Sequence, residues 1–468
     1  MGLFNQKTRK NIILTIATQV FIAVSFLMML GVLSRTFSKT DLGLYGNYKS
    51  LIQFLYFLYT FGTDIGLARY LGFYSRNRDM QDRCFSTVIT IYLALIFCST
   101  AVLYVFGGFL TTHFLGGDRV LFYYTALALL LLGAFKIVYT YYQGVRRMVV
   151  ANVLQFSALA GGNFLVTGLV LLGLVRTLRG VILLLSISMA VSLLPLVILV
   201  RQHFHWKFNF SEIIRYSFPR APHMFLSGII LTFGIMLASY FYSYSLAGDF
   251  TVTTRLFRIL GMGAYGFNMV LLPGVAAMVG SGKSGELGQS LDRYGNLIIH
   301  FGLIAMFACY VFSPVVIRLW LTDQYMSAIP ILQVFSFSIP LYLYYLMFRS
   351  AIHGLDKRPI QLYFDIVSFF ILLSAFFGLK HWIANPSLLI AVAMALAFLI
   401  YGVLSMVYLH QIARVPLRLK AWASHGILIL GAMALSHWHM QLSVSLFIAG
   451  EITLAIVTRR KWMSLFHL

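Results

Sequence analysis

Lys49 and Gln53 stand four residues apart, and Arg255 and Arg258 three apart. On a helix each pair occupies one face. Lys136 and Arg349 are two further cations set within apolar sequence, and Asp64, Asp365 and Glu451 are the acids in comparable positions. A charge at mid-helix in a bilayer costs about 2.5 to 3.5 kcal/mol on insertion scales, so such residues mark a binding site or a pathway unless they lie near enough to a helix end to reach the headgroups. Lys49, Gln53, Lys136, Arg255, Arg258 and Arg349 are therefore the expected lining of a cationic cavity. Asp64 and Arg69, five apart, read as a pair at a helix end; together with Asp365 they are the candidates for coupling or gating. Glu451 lies one or two turns from Arg459, Arg460 and Lys461 and reads as structural.

Other chemistry finds no support in the spacing. His223, His300 and His353 are isolated, and Cys84, Cys98 and Cys309 form no CxxC, so neither a metal site nor a disulfide framework is expected. The stretch GSGKSGE at 280–286 ends like a phosphate-binding loop, but that pattern requires Gly where Ala277 stands. No catalytic residue and no cofactor is expected. Tyr342, Tyr344 and Tyr345 read as part of an interfacial aromatic belt, with stacking on sugar rings as the other role open to them.

The elements that must position these residues follow from composition. Of 468 residues, 60% are hydrophobic and 10% charged, against roughly 25% charged in a soluble domain. About 20 mainly apolar residues suffice to cross a bilayer as a helix. Fourteen segments qualify: 11–33, 42–65, 85–110, 120–142, 152–174, 180–200, 222–246, 256–279, 297–317, 328–350, 361–379, 383–409, 422–438 and 441–458. The fold class is thus an all-α integral membrane protein of about 14 transmembrane helices. The longest hydrophilic connection, 201–221, divides the chain into 1–200, a six-helix bundle, and 222–409, a second one, followed by two further helices and a tail over 410–468. A faint internal echo places Tyr45 on Phe250 and Gly43 on Gly248. Bundles repeated in that way share one orientation, related by an axis along the membrane normal.

The net charge of +22 is read as an orientation signal, with no nucleic acid as partner. Of the 35 lysines and arginines, 23 fall in loops and tails on the side of the N-terminus and 8 on the other. The positive-inside rule then places both termini in the cytoplasm of a multi-pass inner-membrane protein.

Several segments resemble a family. Arg35, Asp41, Gly43, Tyr45, Gly62, Asp64, Gly66, Arg69 and Tyr70 within 31–71 are similar to the N-terminal signature of bacterial polysaccharide and O-antigen flippases. IIRYSFPRAPHMF at 213–225 resembles the opening of that family's second bundle, and the stretch from Val315 to Gln361 its ninth and tenth spans. The resemblance implies the multidrug/oligosaccharidyl-lipid/polysaccharide exporter superfamily, with two six-helix bundles in a V. It implies alternating access that carries a polyprenyl-diphosphate-linked oligosaccharide from the inner to the outer leaflet. Cations in a cavity suit that cargo, since a diphosphate leaving water is stabilised by pairing with them. Expected partners are the lipid-linked oligosaccharide, membrane lipids, and a glycan polymerase or glycosyltransferases of the same route. Two other readings stand beside it: a cation-coupled multidrug exporter of the same superfamily, which the sparse acids of the first bundle disfavour, and a membrane glycan polymerase or ligase, which the short outer loops disfavour.

Overall fold

The computed structural model describes residues 6–145, 147–261, 284–355, 358–416, 419–436 and 443–449. Among them nine helices are long and apolar enough to cross a membrane, and two bent helix pairs bring the number to 11. The expected spans 256–279 and 441–458 are described only as far as residue 261 and over 443–449, both helical, and Leu419–Leu435 covers most of 422–438. Glu451 and most of the 280–286 stretch lie outside the described residues.

Two compact units emerge, Lys10–Val252 and Thr253–Leu468 with Met1–Arg9. Residues 210–252 belong to the first because the helix Ala221–Phe241 lies antiparallel along the second span. That span opens at Lys39–Leu55, where Ser38 Oγ accepts the Asp41 N–H and Asp41 accepts the Ser38 N–H, a reciprocal cap. Small residues admit both Ala221–Phe241 and the next helix, which begins at residue 244. A Cβ on Gly228 would press on the Phe54 backbone, one on Gly46 would overlap the Thr251 hydroxyl, and one on Gly43 would overlap the Tyr244 carbonyl. A Cβ on Gly248 would in turn crowd the Lys39 backbone. The two glycines aligned by the internal echo thus mark a single helix crossing.

The second span then breaks. A single turn, Phe57–Thr60, is followed by Phe61 and Gly62, both left-handed (φ 45° and 76°), before Thr63–Phe73 resumes at a 55° bend. Gly62 is required twice, by its φ and by the Ser217 carbonyl above it. Three spans further on, a π-helical turn at Phe156–Gly161 separates Met148–Gln155 from Gly162–Leu171. This composite span meets the first one through amide and hydroxyl pairs, Asn152 to Thr15 at 3.0 Å and Asn163 to Ser25 at 3.1 Å, which satisfy polar groups where lipid offers no partner.

The connection expected at 201–221 is strapped to this unit. The His205 N–H donates to Ser86 Oγ and the Asn209 N–H to Thr87 Oγ1, both at 2.8 Å, and Tyr74 donates to Glu212 at 2.7 Å. That acceptor carboxylate holds the Tyr74 phenol up at about 12. In the second unit Pro386–Ala413 packs beside Ile360–Leu379 and beside Ile339–Leu355, where Gly402 lets the Leu341 backbone approach.

Candidate functional site

Lys49, Gln53 and Tyr56 follow one another at intervals of four and three, and so form one stripe on the second span. Lys49 and Gln53 are half-buried. The Lys49 ammonium lies 5.6 Å from the Tyr45 ring and 5.5 Å from the Tyr48 ring, and both rings are fully buried. Tyr56, at the break, lies under Lys136, whose ammonium is 6.0 Å from its ring. Lys136 comes from the helix Arg119–Gly144, which packs on Thr63–Phe73, and it is the cation that acts on buried Asp64. The first unit therefore brings Lys49, Gln53, Lys136 and Asp64 into one polar seam whose lysines are supported by aromatic faces.

The expected pairing of Asp64 with Arg69 does not occur. Five residues along a helix place two side chains about 140° apart, and each has gone to its own side. Asp64 turns inward toward Lys136, while exposed Arg69 lies 4.4 Å from the Tyr216 ring. That ring also carries Arg220 at 3.8 Å, and Arg220 donates to the Tyr216 carbonyl at 2.9 Å. Arg220 is 5% exposed, although its place in the longest hydrophilic stretch made it read as a loop charge. Lys39, likewise assigned to a loop, begins the second span and pairs with Asp249 at 2.8 Å, the carboxylate being almost wholly buried. Asp249, Tyr216 and Arg220 were absent from the expected site.

The second unit gathers Arg255, Arg258, Arg349 and Asp365 among tyrosines. Arg255 and Arg258 are half-buried, near enough to repel one another, and Tyr342 lies beside Arg258. The Tyr342 ring stacks with Phe257 at 4.9 Å and contacts Phe398 at 4.8 Å. Arg349 donates through Nε to Gln361 at 3.1 Å, and the Gln361 amide returns to the Arg349 carbonyl at 2.7 Å. Asp365, fully buried, accepts the Tyr401 hydroxyl at 2.7 Å, and Tyr401 stacks on Tyr345 at 4.5 Å. Tyr342, Tyr344 and Tyr345 are thus interior residues with few exposed atoms, not members of an interfacial belt.

The sequence profile of a family described as polysaccharide biosynthesis protein matches residues 8–279. The chain belongs to that family. A search among curated proteins finds no significant match in sequence. Among solved structures, the chain is similar to an inward-facing multidrug resistance MATE family transporter of the MOP superfamily, with TM-score 0.69 and 13% identity over 88% of this chain and 99% of that one. An outward-facing transporter of the same description gives TM-score 0.58 and 14% identity over 88% and 97%. A Vibrio cholerae MATE transporter, a point mutant of VcmN, gives 0.59 and 15% over 86% and 97%. At these identities the likeness is one of fold, and the chain shares the all-helical fold of these transporters.

Proposed function

We propose that this member of the polysaccharide biosynthesis family translocates a polyprenyl-diphosphate-linked oligosaccharide from the cytoplasmic to the outer leaflet of the inner membrane by alternating access. The observation that carries this reading is the balance of charge within the spans: Lys49, Lys136, Arg255, Arg258 and Arg349 against Asp64 and Asp365. An interior rich in cations suits an anionic cargo that sheds its water on the way across, because each phosphate oxygen that loses water gains a charged donor. Aromatic side chains next to those cations offer faces on which sugar rings stack. The lipid tail stays in the bilayer while the diphosphate and sugars pass through. Both termini then face the cytoplasm, two helix bundles form the arms of a V, and the pathway's transferases or polymerase act at the membrane.

The test is complementation of a deletion strain. Lys49→Ala and Arg258→Ala are each expected to abolish surface glycan, with lipid-linked glycan accumulating on the inner leaflet and the protein inserted at wild-type level. Full complementation by both variants overturns the cationic route. A cation-coupled exporter of drugs is favoured by one observation, the fully buried Asp365 held by Tyr401. On that reading Asp365→Asn sensitises cells to drugs and leaves surface glycan intact; on ours, drug susceptibility is unchanged.

A further inference from the structure

One cavity of about 400 Å³ opens at an end of the first unit, where Arg78–Phe114 begins and where Arg119–Gly144 and Leu194–His203 finish. Its volume falls in the range of small-molecule sites, ~300 to 1,000 Å³. Its lining is polar: Arg78, Arg147, Gln81, Gln202, His203 and Asp82 surround it, over a floor that includes Leu199 and Gly144. The single carboxylate is already engaged, since Asp82 meets His203 Nδ1 at 2.9 Å and His205 Nε2 at 3.6 Å. Both guanidiniums are exposed and neither has an ion-pair partner among the described residues. Arginine presents a planar fork of donors that matches phosphate oxygens, and the Gln202 amide adds a weaker donor beside it.

The surroundings identify the rest of the ligand. The helix from Arg78 has 37 residues, about 55 Å at 1.5 Å per residue, so its polar first turns stand clear of a hydrocarbon core of about 30 Å. Beyond those turns the same elements turn apolar side chains outward: Leu93 and Phe97 on one helix, and Leu194, Val197 and Ile198 on the helix that ends at His203, all more than half exposed. A basic polar cavity at headgroup depth that continues into apolar lipid-facing surface fits an amphiphile whose head is a phosphate ester.

We propose that this cavity binds the headgroup of an anionic glycerophospholipid, with Arg78 and Arg147 on the phosphate and the acyl chains lying along Leu194, Val197 and Ile198. The site is separate from the seam of Lys49, Gln53 and Lys136, and the proposal does not rest on the nature of the transported cargo.

Native mass spectrometry of the full chain, titrated with short-chain phosphatidylglycerol, short-chain phosphatidylcholine and glycerol phosphate, tests it. The wild type is expected to retain phosphatidylglycerol at least about tenfold more tightly than phosphatidylcholine, whose phosphate is the same but whose choline cation is repelled by the two guanidiniums, and to show no competition from glycerol phosphate. The double variant Arg78→Gln, Arg147→Gln is expected to lose that preference. Arg119→Gln, which removes an exposed charge at the other end of the same helix bundle, is expected to keep it. Equal retention of the two lipids by the wild type overturns the proposal, whether or not the double variant can be purified. Competition by glycerol phosphate would reveal a site for a soluble anion and also overturn it, as would equal losses in the double variant and in Arg119→Gln.

Discussion

The second span meets residues 210–252 at both of its ends, and the two meetings are built on different physics. At the Lys39 end, glycines bring backbones into contact, Lys39 and Asp249 form a nearly buried ion pair, and Tyr244 adds a hydroxyl that accepts the Gly116 N–H at 3.1 Å and donates to the His113 carbonyl at 3.2 Å. Beyond the break, toward Arg69, small residues again admit a close approach, Gly62 and Gly66 beneath Ser217, and Tyr74 donates to Glu212, but the charged groups are two guanidiniums on one tyrosine ring. Opposite charges in low dielectric hold tightly and cost much to separate. Cation–π contacts hold for about 0.5 to 2 kcal/mol each, and the repulsion between Arg69 and Arg220 works against them. Of the charged contacts, the ion pair at the first end is the costlier to break.

Substitutions at the two ends break or sharpen this contrast. The largest effect is expected of Gly43→Leu: no rotamer clears the Tyr244 backbone, and a loss beyond about 4 kcal/mol should appear as absence of the monodisperse protein on size exclusion. Gly72, near the other end, has open space at its Cβ, and Gly72→Ala should stabilise by a few tenths of a kcal/mol, up to about 1. Next comes Asp249→Ala, which removes the carboxylate paired with a mostly buried ammonium and should cost about 3 to 5 kcal/mol in thermal unfolding. Adding Lys39→Met should return most of it, and a double variant no better than the single one would show that the pair is not what closes this end.

Tyr216→Ala should cost about 1 to 3 kcal/mol, while Tyr216→Phe, which keeps the ring, should cost little. The smallest effect concerns Asp118, which caps Arg119–Gly144 and meets Arg179 at 2.8 Å. Burial pushes its carboxyl up, but Arg179 and the N–H groups of Leu121 and Val120 together outweigh this and leave it below the usual carboxylate range. A depressed acid stabilises the fold above its unfolded pKa and loses that contribution as pH falls through the folded one. The wild type should therefore lose stability below about pH 4 in part through Asp118. Asp118→Asn, still a capping residue, should flatten that limb and cost about 1 kcal/mol or less at neutral pH.

Much of this architecture was legible because hydrophobic length is a strong signal: each expected span lies mainly on helix wherever the chain is described, with the bends at Phe61 and Gly62 and at Phe337 and Ser338 the chief departures within spans. The first of these bends was not legible, since Phe61 in a left-handed conformation is imposed by packing around Ser217. Lys49, Gln53 and Lys136 could be read as a group because a cation in apolar sequence is conspicuous. Asp249 and Arg220 could not, because each sits beside a polar stretch that looks like a loop, and only tertiary contact shows that they are buried. The Asp64–Arg69 pairing failed for a related reason: nearness along the chain was taken for nearness on a helix face. The span count and loop charges describe how the chain enters a membrane, but which polar groups meet inside it depends on helices far apart in sequence.

The Lys39–Asp249 pair has a consequence for biosynthesis. The two residues are 210 positions apart, and at about 5 to 20 residues per second the ribosome needs roughly 10 to 40 s to pass from one to the other. For that interval the second span is in the membrane without the two helices that cover Gly43, Asn47 and Phe54, and Lys39 has no Asp249 to meet. The nascent chain must hold its lysine at the headgroup level and its asparagine against whatever helix is already made. A protein whose tightest contact joins an early span to one made much later is one in which insertion and assembly are separate events, and the second waits on translation.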